Sequence, residues 1–523
     1  MRIPTLGAAL ALTLLSSPAA TAAKWRDPYP STYAPVPSGP VLIRDATVLT
    51  GIGTRLDSAD VLLANGRIQA VGIDLAAPDG ATVVDGTGKW VTPGLIDVHS
   101  HLGVYPSPGV NAHGDGNEAS SPTTPNVWAE HSIWPQDPGF ATALAGGVTS
   151  MQVLPGSANL IGGRGVTIRN VHATTYQAMK FPGAPHGLKM ACGENPKRVY
   201  GSKGGAPSTR MGNVAGYRAA FLEAQAYGRT WDAYRRKHPD KAAARGPGTE
   251  TRAMATAVAP QPPAQPPPSP EQQPVGEPMP MQEQVADVPV EEDKPRRWFG
   301  RKDKADAGEP ESPPDRDLGK ETLVAAMAGD VLVHIHCYRA DEMATMLDLA
   351  KEFGFRIAAF HHGVEAYKLA DRLAVEQVCG ALWADWWGFK MEALDGIVEN
   401  IALVDRPNGG CAIVHSDSAE GIQRLNQEAA KVMAHAKRAG IDIPPERAIR
   451  WITANPARAM GIATQTGTLE VGKRADVVVW NRTPFSVYAQ AEQVYIDGAR
   501  LYDRADPARQ PHSDFGLGQG VSP

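Results

Sequence analysis

Cysteine is scarce in this chain. Cys192, Cys337, Cys379 and Cys411 are its four, widely spaced, and no two form a C-x-x-C pair. A zinc-thiolate site is therefore not indicated, and a disulfide framework is not expected in a chain this large. Each cysteine reads as a small buried apolar residue. No charge of one sign dominates: 51 basic and 56 acidic residues leave a net charge of −5. That balance gives no electrostatic case for binding nucleic acid. Beyond the N-terminus no run of apolar residues is long enough to cross a bilayer. The Gly-rich stretch Pro155 to Gly165 lacks a Gly-Lys-Ser/Thr ending, which excludes a Walker-type phosphate cradle. It reads instead as a loop lining the substrate end of the fold.

At the N-terminus, Arg2 precedes a short apolar run from Leu6 to Leu15. A small-residue stretch then ends in Ala20-Thr21-Ala22. This is the pattern of a cleaved secretory signal over residues 1–23, and it implies a secreted or periplasmic protein with no transmembrane span after cleavage. The 45 prolines are clustered, most densely between residues 240 and 317, where runs such as QPPAQPPPSP contain few branched or aromatic residues. Such a segment buries too little apolar surface to offset its ordering entropy. It is expected to be a disordered insertion in a loop of the main domain.

The rest of the chain is 523 residues less these segments, enough for a large core and more than one domain. Residues 38–92 read as short β segments separated by turns, with Asn65-Gly66 as a hairpin signal. Residues 464–505 supply similar segments, with Asp497-Gly498 as another turn. Together they predict a small β-sandwich built from both chain ends. Between them, residues 93–463 alternate β and α patterns, which predicts a (β/α)₈ TIM barrel of the α/β class.

Chemistry concentrates at strand ends. Leu95 to Val98 reads as a buried strand that runs into His99 and His101. In extended chain, residues i and i+2 share a face, so both imidazoles can aim into one cavity. His334 and His336 repeat the spacing, His361-His362 follow another strand, and Asp417 follows a last one. The C-terminal strand ends of a parallel barrel converge on one mouth. These stations would then meet around a metal ion. The group WADWW, ending at Trp387, reads either as barrel wall or as an apolar binding surface.

The segment PGLIDVHSH, with GTLEVGKRADVVVW (Gly467 to Trp480) near the C-terminus, resembles the amidohydrolase superfamily. These are metal-dependent hydrolases on a (β/α)₈ barrel, and the branch most resembled is that of imidazolonepropionases and prolidase-like peptidases. The resemblance implies metal ligands at His99 and His101, at His334 (or His336), at His362 (or His361), and at Asp417, which also acts as the catalytic acid/base. A bridging ligand would be carboxylated Lys189 or Glu194, with Glu194 preferred. A His/carboxylate set without thiolate favours zinc, one or two ions, with Mn, Fe or Ni as substitutes.

The expected activity is hydrolysis of a C–N bond in an amide, cyclic amide or peptide by activated water. Arg164 and Arg198, with Lys197 and Arg210, are candidates to meet a carboxylate on a small-molecule or short-peptide substrate. Competing readings are an imidazolonepropionase-like or deaminase activity, or a non-catalytic barrel acting as a scaffold through the Pro-rich insert. Whether the chain forms a homo-oligomer is left open.

Overall fold

The computed structural model describes residues 27–239, 312–386 and 388–510. The expected signal segment lies outside the described residues, as does nearly all of the expected insertion. Trp387, the last residue of the aromatic group, lies outside them too.

Both chain ends contribute to one eight-stranded sheet. β1 (Val41–Leu49), β2 (Arg55–Ala64), β3 (Arg67–Gly72), β4 (Thr82–Asp85) and β5 (Trp90–Pro93) come from the front of the chain. Near its end come β14 (Val477–Trp480), β15 (Ala491–Ile496) and β16 (Ala499–Asp503). The hydrogen-bonded order is β16-β15-β14-β5-β1-β2-β3, with β4 also pairing β1. Alternating apolar residues of these strands, among them Ile43, Val48, Val61, Ile68, Val477 and Tyr495, form one buried cluster. The seam between the two chain ends is the antiparallel β5–β14 pair, Pro93 opposite Val477.

The central sheet contains β6 (Leu95–Ser100), β7 (Val148–Val153), β8 (Ile161–Arg169), β9 (Gly187–Ala191), β10 (Leu332–Cys337), β11 (Ile357–His362), β12 (Cys379–Leu382) and β13 (Ala412–Val414). They pair in sequence order from β6 to β13. The sheet nearly closes, because Asp417 N–H donates to the His99 carbonyl at 3.2 Å and the Ser416 hydroxyl donates to Asp97. Helices pack outside it, and the whole is the expected (β/α)₈ barrel with an accompanying sheet domain.

One strand runs against the others. β8 is antiparallel to both β7 and β9. The stretch expected as a glycine-rich loop is therefore half barrel wall. Glycine is required there for close approach: Gly163 has φ +109°, and a Cβ on it would collide with the Val127 carbonyl. Reversal also carries Arg169 to the end of the barrel that meets the sheet domain, where it pairs with Asp476 and Asp497.

The expectation for the cysteines is overturned. Cys192 bonds Cys337 and Cys379 bonds Cys411, and no cysteine is free. Each bridge joins neighbouring barrel strands. Parallel pairing of β9 with β10, and of β12 with β13, brings residues far apart in sequence to Cα separations of 5.2 and 4.6 Å.

The helices carry ordinary end signals. Thr209 caps Arg210–Lys237, whose last turn is basic; Asp317 caps Leu318–Ala328, and both Leu318–Ala328 and Ala340–Phe353 stop at a left-handed glycine. Trp231 and Tyr234 are buried as their helical spacing predicts. No helix among the described residues is long and apolar enough to cross a membrane.

Candidate metal centre

β6 is buried along its whole length and delivers His99 to the barrel interior, with His101 just beyond it. Their Nε2 atoms are 3.2 Å apart, and the Leu154 carbonyl, 2.9 Å from His101 Nδ1, fixes that ring. From the far edge of the sheet, Asp417 places Oδ1 3.4 Å from His99 Nε2 and 3.1 Å from His101 Nε2. From β9, Lys189 brings Nζ to 3.2 Å from His99 Nε2. Four polar groups from three strand ends thus surround one small volume.

Further imidazoles extend the cluster. His361 Nδ1 lies 2.8 Å from His99 Nδ1, and His334 Nδ1 lies 2.9 Å from His361 Nε2. His362 Nδ1 is 3.2 Å from His415 Nε2 and 3.8 Å from Asp417 Oδ2. His336 packs edge-on to His362, with ring centroids 4.6 Å apart. The His99/His101/Asp417 set and the His99/His362/His415 set each present three donor atoms within 4.8 Å of one another. His362 and Asp417 both hold positive φ, +71° and +51°, a conformation costly for non-glycine residues and concentrated at functional sites.

The electrostatics keep the rings of His99, His334, His361, His362 and His415 neutral. Burial, and then the Lys189 and neighbouring imidazole charges, hold His99, His361 and His362 well below the ordinary histidine range. Burial takes His334 down to about 3 and His415 to about 4. The Lys189 ammonium is pushed down to about 8 by burial, against the opposing charge of Asp417. Burial works to raise Asp417, but the hydrogen bond and charge of His101 bring it below the usual carboxylate range. Neutral imidazoles beside a carboxylate are a suitable donor set for a divalent ion. Buried His334 Nε2, His336 Nδ1 and His415 Nδ1 have no hydrogen-bond partner, and such orphans are what a missing ligand would satisfy. The residues therefore fit a metal ion.

Several expected site residues lie elsewhere. Glu194 starts a short helix; its carboxylate is 3.9 Å from the Lys390 ammonium and belongs to no convergent donor set among the described residues. Lys189, the less favoured bridging candidate, is the one at the cluster. Arg164 is buried outside the barrel wall, donating to Thr322 and lying over the Trp128 ring, because it alternates with Gly163 on β8. Arg198 is on the exposed face of the helix Glu194–Gly201 and Lys197 is half-buried there. Arg210 is held by Glu342 and Glu392.

His415 was not singled out from the sequence. The signal for it was present: it precedes Asp417 by two residues at a strand end, the spacing that flagged His99 and His101. Trp383 is buried and stacks on His362 at 4.2 Å, so the aromatic group forms both wall and lining of the site. A second convergent set, Asp27, Glu130 and His186, already encloses the Lys180 ammonium, 2.5 and 2.6 Å from the two carboxylates.

Residues 409–502 match the family model described as "Amidohydrolase family". A crystal structure of an amidohydrolase from Thermotoga maritima MSB8 superposes with a TM-score of 0.69 at 30% identity, covering 89% of this chain and all of that one. Amidohydrolase tasK of Hapsidospora irregularis is 29% identical over 506 residues, 91% of this chain. The chain spans 44% of that relative's length. A shorter stretch of 43 residues is 60% identical to dihydroorotase of Geobacter sulfurreducens, 8% of this chain and 10% of that protein.

Proposed function

The chain belongs to the amidohydrolase superfamily, and from that premise we propose that it is a metal-dependent hydrolase of C–N bonds in amides, cyclic amides or peptides. One observation carries the reading: donor atoms of His99, His101 and Asp417, with the Lys189 amine, converge within 3.4 Å contacts at one end of the barrel.

His99, His101, Asp417, His362 and His415 would hold the ion, with His334, His336 and His361 around them. Lys189, rather than Glu194, is the favoured bridging ligand; its lowered pKa leaves neutral amine to take up CO₂ as a carbamate, with release of a proton. Zinc suits the donors best. When bound, such an ion lowers the pKa of water and polarises a carbonyl.

The protein's own groups then account for proton traffic. Asp417, ionised at neutral pH, accepts a proton from the attacking water as the oxygen bonds to the carbonyl carbon. It returns that proton to the nitrogen as the C–N bond breaks. Neutral His336, with an unpartnered buried nitrogen, can donate to the oxyanion. Complete donor stations speak against a purely structural scaffold.

Export to an oxidising compartment is part of the same proposal. The signal-like N-terminus motivates it, and two disulfides support it, since such bonds persist mainly outside the cytosol. The decisive experiment is metal analysis of the purified protein, combined with a hydrolysis screen of N-acyl amino acids, dipeptides and cyclic amides. A protein that retains no divalent ion and cleaves none of them is not this enzyme.

A further inference from the structure

The geometry points to His361 as a positioning residue: with His334 it forms a buried strut that fixes which nitrogen His99 offers to the ion, and neither of the two is itself a ligand. This deepens the hydrolase reading and rests on its metal centre.

Three rings stand in line. His99 Nδ1 lies 2.8 Å from His361 Nδ1, and His361 Nε2 lies 2.9 Å from His334 Nδ1. All three side chains are buried, and they come from three different strands, β6, β11 and β10. The His99 ring turns its other nitrogen to the donor cluster. That Nε2 is 3.2 Å from both His101 Nε2 and Lys189 Nζ, and 3.4 Å from Asp417 Oδ1.

Those contacts allow one arrangement of protons. A neutral imidazole carries one N–H and one lone pair. A metal ligand gives up the lone pair, so His99, offering Nε2, has its proton on Nδ1 and donates it to His361 Nδ1. His361 then holds its own proton on Nε2 and donates to His334 Nδ1. Both nitrogens of His361 are engaged in this way, and no lone pair is left on it for an ion. The Nδ1 lone pair of His334 is taken as well, and its proton lies on Nε2. Neither residue belongs to a convergent donor set among the described residues, whereas His99 belongs to two. Run in the opposite direction, the line would put a proton on His99 Nε2 and block that ligand.

The backbone makes room for the strut. Register on β10 and β11 sets His336, not His334, opposite His361, so the His334 ring reaches His361 from two residues back along its strand. At that end of the line position 187 is glycine. A Cβ there would lie 3.2 Å from His334 Cδ2 and 2.7 Å from Gln152 Nε2, so any side chain would crowd the last ring and the amide beside it. Partners that orient a ligand histidine are commonly a carboxylate, a backbone carbonyl or water, and losing one costs about 10–100-fold in metal affinity. Here a neutral imidazole takes that part.

The test uses zinc alone and needs no substrate. Affinity is measured by competition with a chromogenic chelator for the parent protein, for His361→Leu, which removes the acceptor, and for His361→Asn, whose amide oxygen stands where Nδ1 stood. His361→Leu should bind zinc about 10–100-fold more weakly, and His361→Asn should stay within about threefold of the parent. The visible spectrum of cobalt-loaded His361→Asn should match that of the cobalt-loaded parent, because no ligand is lost. If His361→Leu does not fold, as judged by melting of the metal-free protein, His361→Asn decides alone. Unchanged affinity in a folded His361→Leu overturns the proposal. Lost affinity with an altered cobalt spectrum in His361→Asn also overturns it and makes His361 a ligand. A parent protein that holds no zinc removes the strut and the hydrolase reading together. Affinity that follows the acceptor at position 361, in a protein that hydrolyses nothing, upholds the strut and removes the hydrolase reading alone.

Discussion

Asp417 Oδ1 sits 3.1 Å from His101 Nε2, across the seam where the last barrel strand meets the first. The contact joins a candidate metal ligand to the candidate acid/base and is held by backbone as well as side chain, since Asp417 N–H donates to the His99 carbonyl. Replacing this carboxylate should therefore remove chemistry while sparing fold. Asp417→Asn is expected to lower kcat by about 10²–10⁴-fold, the usual worth of a general acid/base, or more if metal is also lost. Its thermal midpoint should stay near that of the parent protein. Steady-state kinetics on the substrate from the screen, with a melting curve beside them, check both halves.

Arg169 and Asp476 make the corresponding joint at the other end of the barrel. The guanidinium forks onto the carboxylate at 2.7 and 2.5 Å, both groups fully buried. Breaking such a pair leaves the buried Arg169 charge with Asp497 alone, 3.2 Å away, at a cost of up to about 3–5 kcal/mol. Asp476→Asn should destabilise the protein by that amount at neutral pH. Burial works to raise the Asp476 pKa, but the Arg169 charge and hydrogen bonds bring it below the ordinary carboxylate value. A group with a depressed folded-state pKa adds stability that is full above its unfolded pKa and fades as pH falls through the folded one. The gap between the two proteins in chemical denaturation should hold from pH 7 to pH 5 and narrow only below about 4. A gap that shrinks already at pH 6 would assign the stabilisation to another group.

The disulfides yield a third expectation. Cys379–Cys411 closes a short segment, with a sequence separation of 32, across the β12–β13 pair. Chain-entropy arguments give such a closure about 2–4 kcal/mol. The double variant Cys379→Ser, Cys411→Ser should melt at lower temperature in non-reducing buffer. Its metal content should not change, because neither sulfur belongs to a convergent donor set among the described residues. Alkylation of the unfolded parent should label no thiol until a reductant is added.

What was legible in the sequence, and what was not, divides along one physical line. Periodicity and turn chemistry are local. Parts of Val41–Leu49 and of Leu95–Ser100 could be read from short apolar runs bounded by turns. Strand-end histidines were visible for the same reason, since i, i+2 pairing needs only one strand. Pairing between distant strands is not local. Nothing in the spacing of Cys192 and Cys337 announces that β9 and β10 lie side by side. Nothing in LIGGRG says that the chain turns back there to form an antiparallel wall, as small residues suit a loop and a close-packed strand alike. The choice between Lys189 and Glu194 is of the same kind. A carboxylate looked the better ligand, but its place at a helix start turns it towards Lys390, whereas β9 register sets Lys189 opposite His334.

That last choice can be put to a direct test. Lys189 and Glu194 are five positions apart, but only Lys189 reaches the cluster, 3.2 Å from His99 Nε2. If Lys189 supplies the bridging ligand after carboxylation, Lys189→Ala should reduce bound metal per chain, measured by atomic emission after exhaustive dialysis. It should lower activity by more than about 10²-fold, beyond the 10–100-fold typical of residues that merely orient ligands. Glu194→Gln removes a carboxylate of similar sequence prominence but leaves every convergent donor in place. It should keep its metal and stay within about threefold of the parent rate, since a partly exposed ion pair is worth only ~0–1 kcal/mol. The reverse pattern, metal lost from Glu194→Gln and kept in Lys189→Ala, would show that the loaded protein draws Glu194 inward and that register on β9 does not decide the bridge.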